Sequence, residues 1–219
     1  METTKNRSIV RKVKDNLTYH LVDSTALLAE STPIFAAFET GLAGMSDEIS
    51  MNARLFATGL TYLGGMGIAY SKGRDFYRKN FKITDKTRER VQSLNDAAYT
   101  GLFNLAVAPA IYLASGARDP KEIAIGTASA IALGLVNGAP MGYAVDVFRD
   151  LTGLKDCERP SYPNLLKRQS SKTKKGLVAL LVAGAIAATA GIYALNPNKS
   201  EAPNYQQPTA IEQVIETSK

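Results

Sequence analysis

Met66-Gly-Ile-Ala-Tyr-Ser-Lys-Gly-Arg-Asp75 and Met141-Gly-Tyr-Ala-Val-Asp-Val-Phe-Arg-Asp150 are two versions of one phrase, Met-Gly-x-Ala-x-x-x-x-Arg-Asp, seventy-five positions apart. Each closes an apolar, small-residue segment and opens a basic one. An apolar segment that stops at a charged pair is what a helix leaving a bilayer for water looks like. The match extends outward from this phrase. Asp23 corresponds to Asp96 at an offset of 73, Glu48-Ile49 to Glu122-Ile123 at 74, and Gly59 and Gly67 to Gly134 and Gly142 at 75. A period this long, holding two apolar segments, points to a duplicated helical hairpin rather than a solenoid of short repeats.

The segments in chain order support that reading. Residues 1–19 form a basic, partly helical lead-in with no signal-peptide pattern. Residues 20–43 are mostly apolar but carry Asp23, Glu30, Pro33 and Glu39, so alone they fit an amphipathic soluble helix as well as a span. Residues 44–53 read as a polar turn, with Ser46 or Asp47 able to N-cap the next helix. Residues 54–71 are uncharged after Arg54 and hold Gly59, Gly64, Gly65 and Gly67. Such glycines weaken a soluble helix by up to about 1 kcal/mol each, yet they let membrane helices approach closely. Residues 72–94 are a basic linker, 95–115 are apolar around Asp96, Asn104 and Pro109, and 116–121 make a polar turn. Residues 122–145 carry the small-residue ridge Gly134, Gly138 and Gly142, with Pro140 predicting a kink. Residues 146–175 are basic again, 176–195 contain no charge at all, and 196–219 read as a disordered Asn/Pro/Gln-rich tail.

Charge fixes the orientation. The three basic segments, 1–19, 72–94 and 146–175, hold five, eight and eight of the 26 Lys and Arg residues, and the turns between apolar segments hold almost none. By the positive-inside rule the N-terminus is cytoplasmic. Four spans then form two hairpins, 20–71 and 95–145, and a fifth span at 176–195 places the tail outside. The expected fold is an all-α membrane protein: a four-helix transmembrane bundle of two parallel repeated hairpins, related by an axis along the membrane normal, plus a C-terminal fifth helix.

The residue inventory excludes several chemistries. One cysteine, Cys157, and one histidine, His20, cannot build a Ser/His/Asp or Cys/His set, an internal disulfide or a metal site, and there is no Gly-rich phosphate loop. No enzyme, metal or cofactor is expected. A nucleic-acid role ranks last, because the basic linker lacks interleaved aromatics for base stacking.

From Gly44-Met45-Ser46-x-Glu48-x-Ser50-x-x-x-Arg54-Leu55 the chain resembles the L-alanine exporter (AlaE) family. The likeness includes Asp23-x-x-Ala26, Glu39 and Tyr70-x-x-x-Arg74-Asp75, then Asp96-x-x-x-Tyr99, Gly116-Ala117 and Gly142-Tyr143-x-x-Asp146-x-x-Arg149, spanning about residues 15–155. The resemblance implies a small inner-membrane exporter of four spans that moves L-alanine outward on the proton gradient. The long linker 72–94 and the fifth span lie outside the family pattern. The competing reading is a non-transporting scaffold or assembly factor whose basic cytosolic segments meet anionic lipid or a partner.

Membrane-embedded acids are the candidates for chemistry, since burying an ionisable group is costly without a use for it. Glu30 lies seven residues beyond Asp23, roughly 10 Å deeper at 1.5 Å per residue, and has no acidic counterpart in the second half, where Phe103 and Asn104 stand instead. It is the preferred carrier of a proton or of a substrate ammonium. Asp23 and Asp96 share that candidacy, with a bland alternative as wet N-caps at the cytoplasmic helix ends. Glu39 and Asn104 complete the pathway set. Arg74-Asp75, Asp146 and Arg149-Asp150 read as orientation anchors, with an inward latch as the second role. Gly59, Gly67, Gly134, Gly138 and Gly142 are expected to pack helices or a homo-oligomer.

Overall fold

The computed structural model describes residues 2–42, 47–114 and 120–196, and among them every regular element is helical. Helix α1 covers Glu2–Ala37 and widens into a π-helical turn at Phe38–Leu42. Helices α2 (Asp47–Tyr62) and α3 (Met66–Asn80) come next, then α4 (Glu89–Ala114), α5 (Pro120–Thr152), the single turn α6 (Asn164–Lys167) and α7 (Ser171–Leu195). The basic lead-in is thus the first half of one long helix, and the basic linker 72–94 is mostly helical around a short loop at 81–88.

The stretch 54–71, read from sequence as one span, is two helices. The chain breaks at Leu63–Gly65, where Gly65 takes φ +73°, a left-handed conformation open to glycine at little cost. The break leaves carbonyls without helical partners, and α1 supplies donors. The His20 ring nitrogen Nε2 lies 2.7 Å from the Tyr62 carbonyl oxygen, and the Ser24 hydroxyl donates to that of Thr61 at 3.4 Å. The second half has no such interruption: α5 continues as helix through Pro140.

Helix α4 packs antiparallel along α5, and α1 packs against α5, α7, α3 and α2. A small apolar core of Ala26, Leu27, Tyr70, Tyr99, Val145 and Phe148 sits between them, with Tyr70 edge-on to Tyr99 and Phe103 at 5.3 Å between ring centres. Much of the remaining interior is charged: Asp23, Arg74, Asp96, Asp146, Arg149 and Arg159 are all buried. Large apolar side chains point outward instead, including Leu55, Leu63, Leu105, Val136, Leu180 and Ile186. In water such a surface would drive association, whereas lipid tails solvate it. Among the described residues two helices are long and apolar enough to cross a membrane, Thr127–Thr152 and Ser171–Leu195. The second buries none of its apolar window, so lipid suits it better than the interior of a soluble protein.

Close approach between helices depends on glycine where α3 crosses α1 and where α5 runs along α4. A Cβ on Gly67 would press on Ser24 Cβ and Cα at 2.9 and 3.0 Å, and one on Gly138 would meet Thr100 Oγ1 at 2.6 Å. A Cβ on Gly142 would collide with the Asp96 carboxylate. Gly134 is similarly tight against Asn104. Gly59, expected among the packing glycines, has nothing within 4 Å, because it lies on the outward face of α2.

Candidate functional site

The buried charges gather where the repeated Arg-Asp phrases end, and they pair across the two halves of the chain. Arg74 on α3 donates to Asp96 on α4 through Nε (2.8 Å to Oδ1) and Nη2 (3.0 Å to Oδ2). Arg149 on α5 donates to Asp23 on α1 through the same two nitrogens, each at 2.8 Å. Each half therefore lends its arginine to the other half's aspartate, in the same bidentate geometry. The sequence neighbours are the weaker partners: Arg74 stands 3.9 Å from Asp75.

A second layer surrounds Arg74. Asp146 accepts from Arg74 at 3.0 and 2.7 Å, from Arg78 at 2.9 Å and from Arg159 at 2.8 Å. Arg159 also donates to Glu89 at 2.8 Å and to Asp96, and Arg78 donates to Gln92. On the other side Arg149 reaches the half-exposed Asp75 at 2.9 Å and lies over the Tyr19 ring. Burial alone would raise the Asp146 carboxyl, but the three arginines around it hold it well below the usual carboxylate range. Burial acts the same way on Asp150, and hydrogen bonds from Lys174, Tyr162 and the Cys157 backbone bring its carboxyl below that range.

These contacts correct the reading of Asp23 and Asp96 as wet N-caps. Asp23 is 21 residues into α1 and Asp96 seven into α4, and both are buried. A carboxylate this deep needs a cation, and each has one. Asp150 accepts from the Tyr162 hydroxyl at 2.7 Å and from Lys174 at 2.8 Å.

Glu30 stands apart from the cluster. Its Oε2 accepts from the Asn137 side chain on α5 at 3.1 Å, while the buried Oε1 has no hydrogen-bond partner among the described residues. Between Glu30 and the cluster, Tyr70 is hydrogen-bonded to Thr100 at 2.7 Å, and Thr100 donates to the Asp96 carbonyl at 2.8 Å. Asn104 does not join Glu30; its amide donates to the Ala130 carbonyl of α5 at 2.6 Å and fastens α4 to α5. The side chain of Glu39 lies outside the described residues, as does the tail from residue 197.

Sequence reasoning missed Asn137, Tyr70, Gln92, Arg78 and Arg159. Asn137 was findable as the lone amide in the otherwise uncharged stretch from Ile123. Arg159 had no such signal, being one of eight basic residues in a linker.

A search of curated proteins and a search of solved structures each return no match. A family model described as AlaE, L-alanine exporter, matches residues 11–155, more than half of the 219 residues. That range takes in Glu30 and the crossed Arg–Asp pairs, and ends four residues before Arg159 and well before α7. The chain belongs to the L-alanine exporter (AlaE) family.

Proposed function

We propose that this protein exports L-alanine, or a similar small amino acid, across the cytoplasmic membrane by proton antiport. Glu30 is the coupling residue, and the observation that carries the reading is its lone unpartnered carboxylate oxygen inside the bundle. One carboxyl group there can hold a substrate ammonium or a proton, but not both. Facing the cytoplasm it releases its proton and takes the ammonium; facing outward it gives up the amino acid and is reprotonated. Mutual exclusion at one group couples the two fluxes. Asn137 orients the carboxyl through Oε2 and leaves Oε1 for the cargo.

In this reading α1, α2 with the start of α3, α4, and α5 as far as Val145 are the four family spans, and α7 is a fifth. The basic segments face the cytoplasm and the tail lies outside. Contacts at the two ends of α7 support that course: Lys174 meets Asp150 beside the Arg–Asp cluster, while Tyr193 hydrogen-bonds Ser50 at the start of α2, at 3.0 Å. The crossed pairs form the inward gate, since parting the halves breaks both. Lipid, protons and the amino acid are the partners, and the small size of the bundle favours an oligomer.

The test is labelled alanine leaving loaded proteoliposomes under an imposed pH gradient. Glu30→Gln keeps the shape but cannot release a proton, so gradient-driven efflux should disappear. Efflux that survives both this change and collapse of the gradient refutes the coupling. Absence of any flux in the wild-type chain favours the scaffold reading.

A further inference from the structure

The stretch between α5 and α6, Gly153 to Pro163, lies beyond the family match except for its first three residues. It is not a free connector. The Leu154 carbonyl accepts from the Tyr19 hydroxyl of α1 at 3.2 Å, and Lys155 pairs with Asp85 of the α3–α4 loop at 3.2 Å. The Cys157 amide donates to Asp150 at 3.2 Å and the Tyr162 hydroxyl donates to the other oxygen of the same carboxylate. Arg159, only 1% exposed, turns inward and donates to Asp146, Glu89 and Asp96, with its guanidinium 5.4 Å over the Tyr143 ring. The stretch therefore touches α1, the α3–α4 loop, α4 and α5, and crosses the end of the bundle where the Arg–Asp pairs sit.

We propose that residues 153–163 are a strap across the cytoplasmic mouth, and that Arg159 is the positioning residue that fastens it by sharing the carboxylates of Asp96 and Asp146 with Arg74. Arg159 acts through the gate rather than on substrate. Its three carboxylate partners all belong to α4 and α5, whereas from α3 Arg74 reaches Asp96 and Asp146 and Arg78 reaches Asp146. Loading from the cytoplasm needs the strap lifted at its Tyr19 and Asp85 contacts, so the strap adds a barrier that the matched family segment alone does not carry. Helix α7 meets the same carboxylate that holds the strap's Cys157 amide and Tyr162 hydroxyl, through Lys174 and Asp150 of α5.

The chain carries its own reporter. Cys157 is the only cysteine, is 4% exposed and lies two residues from Arg159. Burial also pushes its thiol up to about 11, so the docked strap protects it both by access and by keeping it protonated. The experiment measures the rate of maleimide labelling of Cys157 from the cytoplasmic side in membrane vesicles bearing the full chain. Arg159→Gln should raise that rate about tenfold or more, the factor that ~1.4 kcal/mol of lost docking gives. Arg159→Lys, which keeps the charge but not the three-way fork, should fall between. A Cys157→Ser chain with Ala26→Cys, fully buried on α1, should stay unlabelled when Arg159→Gln is added. Wild-type labelling rates in Arg159→Gln overturn the proposal. So does simultaneous labelling at position 26, which would make Arg159 a support of the whole bundle and not of the strap. Labelling needs no substrate, so it stands or falls separately from the exporter reading. In the flux assay, Arg159→Gln should speed the first phase of alanine efflux, and a slower phase counts against a strap that restrains loading.

Discussion

The two crossed pairs look alike, but their surroundings make them unequal, and the difference can be measured. Asp23 is 1% exposed and has one cation, Arg149, among the described residues. Asp96 has Arg74 and Arg159, and Asp146 has Arg74, Arg78 and Arg159. Arg149→Gln therefore strands a buried carboxylate, a loss that costs about 3–5 kcal/mol. Water can serve Asp75, the other partner, because it is half exposed. Arg74→Gln removes the most buried arginine among the described residues, yet it leaves both of its carboxylates neutralised. Its cost should be nearer ~1–3 kcal/mol, the scale of lost hydrogen bonds without a stranded charge. Adding Asp23→Asn to Arg149→Gln removes the stranded charge and should recover ~2–3 kcal/mol. The assay is unfolding of the purified chain in mixed micelles of rising SDS fraction, tracked by the helical circular-dichroism signal. The reasoning fails if Arg74→Gln costs as much as Arg149→Gln, or if the double variant is no more stable than Arg149→Gln alone.

The same contacts dictate further outcomes. Gly142→Ala pushes a methyl into the Asp96 carboxylate and should cost ~1–3 kcal/mol in that unfolding assay, whereas Gly59→Ala meets open space and should be neutral or gain up to ~1 kcal/mol of helix propensity. The folded Asp146 carboxyl titrates well below its unfolded value of 3.8, so its contribution is complete above 3.8 and is lost progressively as the pH drops from there through the folded value. Asp146→Asn should accordingly lower stability at neutral pH and flatten the decline below about pH 5. A reporter fused after residue 219 that is active only outside the cell is the expected result for five spans, and a cytoplasmic signal refutes that count.

How far the sequence could be read depended on whether a feature was periodic or a matter of partners. Basic and apolar segments alternate along the chain, so the helical class was legible from Met66–Asp75 and its echo, and the family from Gly44-Met45-Ser46-x-Glu48 and the motifs that follow it. Glu30 stood out because nothing in the second half matched it. Partners separated by a hundred residues leave no local trace, which is why Asn137 opposite Glu30 and Arg149 opposite Asp23 emerged only in three dimensions. The break at Gly65 was obscured for another reason: four glycines in one segment were read as packing surface, and one of them serves as a left-handed joint. Arg159 was hidden by composition, since a buried arginine in a basic linker has the same letter as its solvated neighbours.

The crossed pairing also constrains how the molecule is made. Asp23 takes its cation from Arg149, 126 residues later in the chain. At about 5–20 residues per second that arginine is synthesised some ~6–25 s after the aspartate. Arg74 in turn waits for Asp96 and Asp146. Residues 1–80 thus leave the ribosome with an acid and a base whose native counter-ions do not yet exist. Biogenesis must hold them at a hydrated site until those counter-ions arrive, and expression of residues 1–80 alone should yield a product cleared by membrane proteases unless residues 81–219 are made in the same cell.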